Sequence, residues 1–135
     1  ARLERQRAQL LDAMVDCHFK LSAARVAIAA DPDLLLSMSA FLTDLGADIA
    51  VAVTSARADG LDVLPVESVL IGDLEDMERA AKATNARLIL ANSHAAAAAA
   101  RLGTAHLRIG YPNFRHPLPS ATVRQAPCFS EPLTT

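Results

Sequence analysis

The sequence has no tryptophan, one tyrosine and four phenylalanines, so aromatics make up only 4% of its 135 residues. Large rings cannot organise the core. With 52% hydrophobic residues, the core must be built from Ala, Leu, Val and Ile. Cysteine is equally scarce. Cys17 and Cys128 stand at opposite ends of the chain, and neither belongs to a Cys-x-x-Cys pair. That argues against a disulfide framework and for a reducing, cytoplasmic compartment. The formal net charge of −2 gives no global electrostatic case for nucleic acid. No apolar run approaches the roughly 18–20 residues of a membrane span. The opening stretch ARLERQRAQLLDAM is charged and amphipathic, without the apolar block of a signal peptide. Because it opens on Ala1 rather than Met, the chain reads as a piece of a longer protein.

What is present is an alternation of two periods. Residues 2–20 form an N-terminal helix in which Leu3, Leu10, Leu11, Met14, Val15 and His18 share one broad face. ARVAIAA (24–30) is a continuous apolar run, the mark of a strand buried on both faces. Asp31 then stands as a helix N-cap and Pro32 as the first helical residue. Leu34, Leu35, Met38, Phe41, Leu42 and Leu45 make the apolar stripe, and Gly46 ends the helix. DIAVAVT (48–54) is a second strand, and 55–65 is a loop with room for one helical turn. VESVLIG (66–72) is a third strand. Asp73 caps an acid-rich helix, ARLILA (86–91) is a fourth strand, Ser93 caps an alanine helix stopped by Gly103, and AHLRIG (105–110) is a fifth strand. This order predicts an α/β fold, a doubly wound parallel sheet of about five strands with helices on both faces. The proline-rich tail, residues 113–135, shows no sustained period.

In such a sheet the turns at the carboxyl ends of the strands collect along one edge, where ligands bind. These turns are Asp31–Asp33, Thr54–Arg57, Gly72–Asp73, Asn92–His94 and Gly110–Pro112. The first turn lacks the glycines of a phosphate cradle. Asp31 and Asp33, like Asp73, Glu75, Asp76 and Glu78, suit the positive ends of helices and disfavour a phosphate there. The most function-like turn is Asn92-Ser93-His94, which with Arg57 would form a ligand or cofactor pocket. The competing reading is structural, with Ser93 capping the alanine helix and His94 in its first turn. Gly-x-Ser-x-Gly is missing around Ser93, which argues against a serine nucleophile. Cys17 and His18 are neighbours on a helix and diverge by about 100°, which is poor chelating geometry; His18 suits a core or interface role. His106 lies in a strand and His116 in the tail, and no pair of histidines has metal-site spacing. No catalytic residue and no metal ligand is assigned.

Several blocks in fixed order resemble the β-like branch of the nitrogenase component 1 superfamily. They are QRAQLLDAMVDCHF (6–19), ARVAIAADPDLLL (24–36), FLTDLGADIAVAVT (41–54), VLIGDLEDME (69–78), LILANSHAAAAAARLG (88–103) and HLRIGYPNF (106–114). IGDLEDME and ANSH look most like the scaffold subunits on which the iron–molybdenum cofactor is assembled. The resemblance implies a Rossmann-like C-terminal domain over 1–112 and a role in a scaffold that is not itself catalytic. It also implies a heterotetramer with a second, homologous scaffold subunit, contact with the nitrogenase iron protein, and no membrane or nucleic-acid partner. Iron–sulfur clusters and the iron–molybdenum cofactor precursor belong to the full complex, and none is expected on this fragment alone. No position here matches the family's cysteine ligands, so none is transferred to Cys17 or Cys128. Two alternatives are a small α/β ligand-binding or enzymatic domain that uses the carboxyl-end loops, and a fragment of the catalytic β subunit. The short loop before the third strand favours the scaffold. The sequence departs from the family in its all-alanine helix and in the absence of an acid after Gly110-Tyr111-Pro112-Asn113-Phe114. It also has a proline-rich tail where the family has a closing helix.

Overall fold

Alternating strands and helices carry the chain back and forth across one sheet. The computed structural model describes residues 1–66 and 69–114. Helix α1 (Arg2–Leu21) leads to strand β1 (Arg25–Ala29), helix α2 (Pro32–Asp44) and strand β2 (Asp48–Thr54). A 3₁₀ turn (Leu61–Val63) precedes β3 (Val69–Ile71), α3 (Leu74–Ala83) and β4 (Leu88–Ala91). A second 3₁₀ turn (Ser93–Ala95) runs into α4 (Ala96–Leu102), and β5 (Ala105–Arg108) follows. The sheet has the order β3-β2-β1-β4-β5, and every pairing is parallel. The expected doubly wound α/β fold is therefore present. The chain reverses its direction of travel between β1 and β4, which opens a crevice at their carboxyl ends.

Side-chain alternation along the strands divides the core into two layers. Val26, Ile28, Leu88 and Leu90 face α2 and the end of α1, where Leu35, Leu42, Cys17 and Leu21 meet them. Ala27, Val53 and Ile89 face the other way, onto Met77 and Ala81 of α3 and Ala95 and Ala99 of the alanine segment. A register shift between Val26 and Ala27 leaves one extra residue in β2, a bulge that bends the strand. The aliphatic core matches the composition. All four aromatic side chains among the described residues (Phe19, Phe41, Tyr111 and Phe114) are exposed.

Local chemistry explains the element ends. The Asp73 carboxylate accepts hydrogen bonds from the amides of Glu75 and Asp76, and the Asp76 carboxylate accepts in turn from the Asp73 amide. Such a box contributes about 1 kcal/mol. Gly46 follows α2 at φ +81°, a conformation that favours glycine, and a Cβ there would sit 3.0 Å from the His18 ring, which would have to give slightly. Between α3 and α4, the Arg101 guanidinium donates to both carboxylate oxygens of Glu78 at 2.8 and 2.7 Å. This hydrogen-bonded pairing holds Glu78 below the usual carboxylate range and raises Arg101.

Three local expectations are corrected. Asp31 occupies the N-cap of α2, but its side chain makes no capping hydrogen bond. Pro32 already fixes the first helical φ, and the Asp31 residue lines the crevice instead. Ser93 does not cap the alanine helix; Asn92 caps the 3₁₀ turn ahead of it, accepting from the His94 amide at 3.1 Å. His18 is exposed and packs edge-on to Phe19, which removes the core half of its expected core-or-interface role and leaves the interface half. Cys128, His116 and the tail from residue 115 lie outside the described residues.

Candidate functional site

The carboxyl edge holds a cleft of about 240 Å³ at the reversal point, lined by Ala30, Asp31, Thr54, Asp73, Asn92 and Tyr111 among others. Asp73 is committed to its capping box. The Thr54 hydroxyl is buried and has no hydrogen-bond partner among the described residues. Tyr111 is 89% exposed at the rim.

Asn92, Ser93 and His94 are brought together beside this cleft, and their contacts are directed at one chain segment. The Asn92 side-chain amide donates to the Tyr111 carbonyl at 3.4 Å, and the Ser93 amide donates to the Pro112 carbonyl at 3.0 Å. The Ser93 hydroxyl accepts from the Phe114 amide at 2.7 Å and donates to the Phe114 carbonyl at 2.9 Å. Arg108 donates to that same carbonyl at 3.0 Å. The His94 ring packs edge-on to Phe114, with centroids 5.4 Å apart. The turn is thus a clasp that holds residues 111–114 across the end of the sheet. A nucleophilic serine needs a base within hydrogen-bond reach, whereas this hydroxyl is engaged by backbone on both its donor and acceptor sides.

Arg57 lies elsewhere. It lines a separate, wider cleft of about 670 Å³ beside β3, with Asp59, Asp62, Leu64, Val69 and Ile71. The strand order explains the separation, because the loop after β2 runs to the β3 edge, away from β4. Among the described residues, no group of three or more His, Cys, Asp or Glu side chains is placed to hold a metal ion.

Sequence reasoning does not single out Arg108 or Phe114 as parts of the clasp. The only local signal is the punctuation by Gly110 and Pro112. Ser93→Ala is expected to lower stability by about 1–2 kcal/mol. The loss should be seen as a lower thermal midpoint and as faster amide exchange at Phe114 than in α2.

His106 is the one buried histidine among the described residues. Its Nε2–H donates to the Ala91 carbonyl at 3.2 Å; a carbonyl can only accept, so this nitrogen carries the proton. Burial pushes its pKa below the ordinary 6.5, reinforced by the Arg108 charge and partly opposed by the hydrogen bond to Ala91. The unfolded chain therefore binds this proton more readily than the fold does. Stability is expected to be full above the ordinary histidine value and to fall as pH drops from there to the lowered native value. His106→Gln should flatten that part of a denaturant midpoint-versus-pH curve.

The family model described as Nitrogenase component 1 type Oxidoreductase matches residues 1–118. The chain belongs to the nitrogenase component 1 family. The matched span takes in the whole doubly wound domain and includes the clasp. The chain is 49% identical over 108 residues to the nitrogenase iron–molybdenum cofactor biosynthesis protein NifN of Nostoc sp., covering 80% of this chain and 24% of that protein. It is 44% identical over 114 residues to the NifN of Bradyrhizobium diazoefficiens, covering 84% of this chain and 24% of that protein. A solved nitrogenase structure, Nitrogenase Cp1 at pH 6.5, superposes with a TM-score of 0.74 at 27% identity, covering 84% of this chain and 27% of the other. The chain thus spans about a quarter of the length of the curated relatives it matches. Within the nitrogenase component 1 family, these likenesses are higher to cofactor-biosynthesis proteins than to that nitrogenase chain.

Proposed function

We propose that this chain is a domain of a scaffold protein on which the nitrogenase iron–molybdenum cofactor is assembled before transfer to the catalytic component. The observation that carries this reading is the 44–49% identity to proteins named for iron–molybdenum cofactor biosynthesis, against 27% to a nitrogenase chain. The site chemistry supports a positioning role. The polar groups of the Asn92-Ser93-His94 turn hold backbone in place. On this reading the domain is not catalytic by itself. The iron–sulfur clusters and cofactor precursor are held by residues elsewhere in the complex, with a homologous scaffold subunit and the iron protein as partners in the cytoplasm. No helix of the described residues is long and apolar enough to cross a membrane.

A second reading keeps Asn92, Ser93, His94 and Arg57 as ligand-binding residues. It is favoured only by the open cleft at Thr54, and it would require Arg57 to act from a different cleft. The two readings separate in an anaerobic co-purification of the full-length protein with the homologous scaffold subunit, with iron and molybdenum quantified. The scaffold reading expects stoichiometric capture and unchanged metal content when Asn92 and His94 are replaced by alanine. Loss of metal in those variants, with capture intact, would favour the ligand-site reading.

A further inference from the structure

The cleft at the reversal point carries a chemistry that the clasp does not use. Two carboxylates stand at it. Asp31 makes no capping hydrogen bond to its own helix. Asp73 does cap, but the two amides it accepts from both bind Oδ1, so Oδ2 keeps its acceptor capacity. Among the described residues no lysine, arginine or histidine lines the cleft. The starts of α2 and α3 also meet there, at Asp31 and Leu74, and a helix N-terminus carries about +0.5 of an elementary charge. Two full negative charges outweigh two half positive ones. The cleft therefore favours a cation and repels an anion.

An independent observation points to an occupant. Thr54 is 1% exposed and forms part of the cleft wall, and its hydroxyl has no hydrogen-bond partner among the described residues. A buried hydroxyl left unpaired costs free energy that a bound donor would return. Ala30, Val53 and Ile109 give the same space an apolar side. Its volume of about 240 Å³ falls below the roughly 300–1,000 Å³ of pockets for larger ligands, which limits the occupant to a small molecule or a single side chain.

We propose that this cleft binds a primary alkylammonium group. Asp31 and Oδ2 of Asp73 take its charge, the Thr54 hydroxyl accepts a third N–H, and the apolar side takes its stem. An ammonium has three N–H donors and no acceptor, which matches three acceptor groups. Asn92 adds none, because its side chain already accepts from the His94 amide and donates to the Tyr111 carbonyl. The site needs no side chain of the clasp and does not depend on the scaffold reading. The ammonium can belong to a free amine or to a lysine side chain.

The test is photo-labelling of the full-length protein, purified with the homologous scaffold subunit, by an alkylamine that carries a diazirine, with labelled peptides mapped by mass spectrometry. The expected result is labelling of peptides that line the cleft, competed by butylammonium and not by pentanoate. Asp31→Asn combined with Asp73→Asn should lower that labelling about tenfold or more, since each removes a charge-assisted hydrogen bond. Asparagine still caps a helix, so the fold is kept. Thr54→Val should also weaken labelling while leaving the thermal midpoint unchanged or higher, because no protein partner is lost. If a lysine of the complex fills the cleft, the free amine will not label it, and a carbodiimide should instead join that lysine to Asp31 or Asp73. That outcome supports the same chemistry and identifies its source. Labelling that butylammonium does not compete, that pentanoate competes equally, or that survives the double replacement would overturn the proposal. So would the absence of both label and crosslink.

Discussion

Replacing Ile28 with alanine is expected to lower the free energy of unfolding by about 2–5 kcal/mol. Ile28 is fully buried at the centre of β1, where it pairs with Ala52 of β2 on one side and Leu90 of β4 on the other. Its side chain belongs to the layer that joins the sheet to α2, so truncation removes apolar burial and leaves a cavity where two strands and a helix meet. For a chain of this size the loss corresponds to a drop in thermal midpoint of roughly 7–18 °C. Val63→Ala is the control. Val63 is 76% exposed in the 3₁₀ turn, and its truncation should stay within about 0.5 kcal/mol. Thermal unfolding of both variants checks the contrast.

The second large effect comes from adding atoms. Ala99→Leu is expected to destabilise by about 1–3 kcal/mol. Ala99 is 2% exposed and packs in the layer formed by Ala27, Ile89, Met77 and Ala81. Alanine is the residue that lets α4 approach α3 and the sheet this closely. A leucine there must displace α4 or adopt a strained rotamer. Ala97, two residues earlier on the same helix, is exposed, and Ala97→Leu should be nearly neutral because leucine is almost as good a helix former. A denaturant titration of the pair therefore distinguishes a packing requirement from mere helix propensity in the alanine run.

Much of the fold is legible in the sequence because local pattern and tertiary role agree. β2 is legible to the residue, 48–54, because an apolar run there lies between a glycine turn and a polar loop. Of the expected strand 66–72, the described residues show Val69–Ile71 as β3, an edge strand paired with β2 alone, while residues 67 and 68 lie outside the described residues. The helical period in 2–20 identifies an apolar face, but periodicity does not state what covers a face, and most of that face is bare. The candidate site is half legible. The residue types in Asn92-Ser93-His94 mark an unusual turn, but its main partner is Phe114, 21 residues from Ser93, a contact that no local period encodes. Arg57 groups with that turn in the sequence because both lie at strand ends. Only the order β3-β2-β1-β4-β5 shows that the loop after β2 leads away from it.

A domain that serves cofactor assembly should be able to replace its counterpart in a related scaffold protein. The most direct measurement is functional replacement in a diazotroph lacking its own NifN. A chimera would carry residues 1–112 of this chain in place of the matching segment of that NifN, and extracts would be tested for activation of nitrogenase that lacks its cofactor. The expected result is activation approaching that given by the native protein, with the chimera recovered in complex with the homologous scaffold subunit. A chimera that is folded and bound to that subunit but yields no activation would contradict the claim. So would the converse, in which the same segment restores activity only when grafted into the catalytic β subunit.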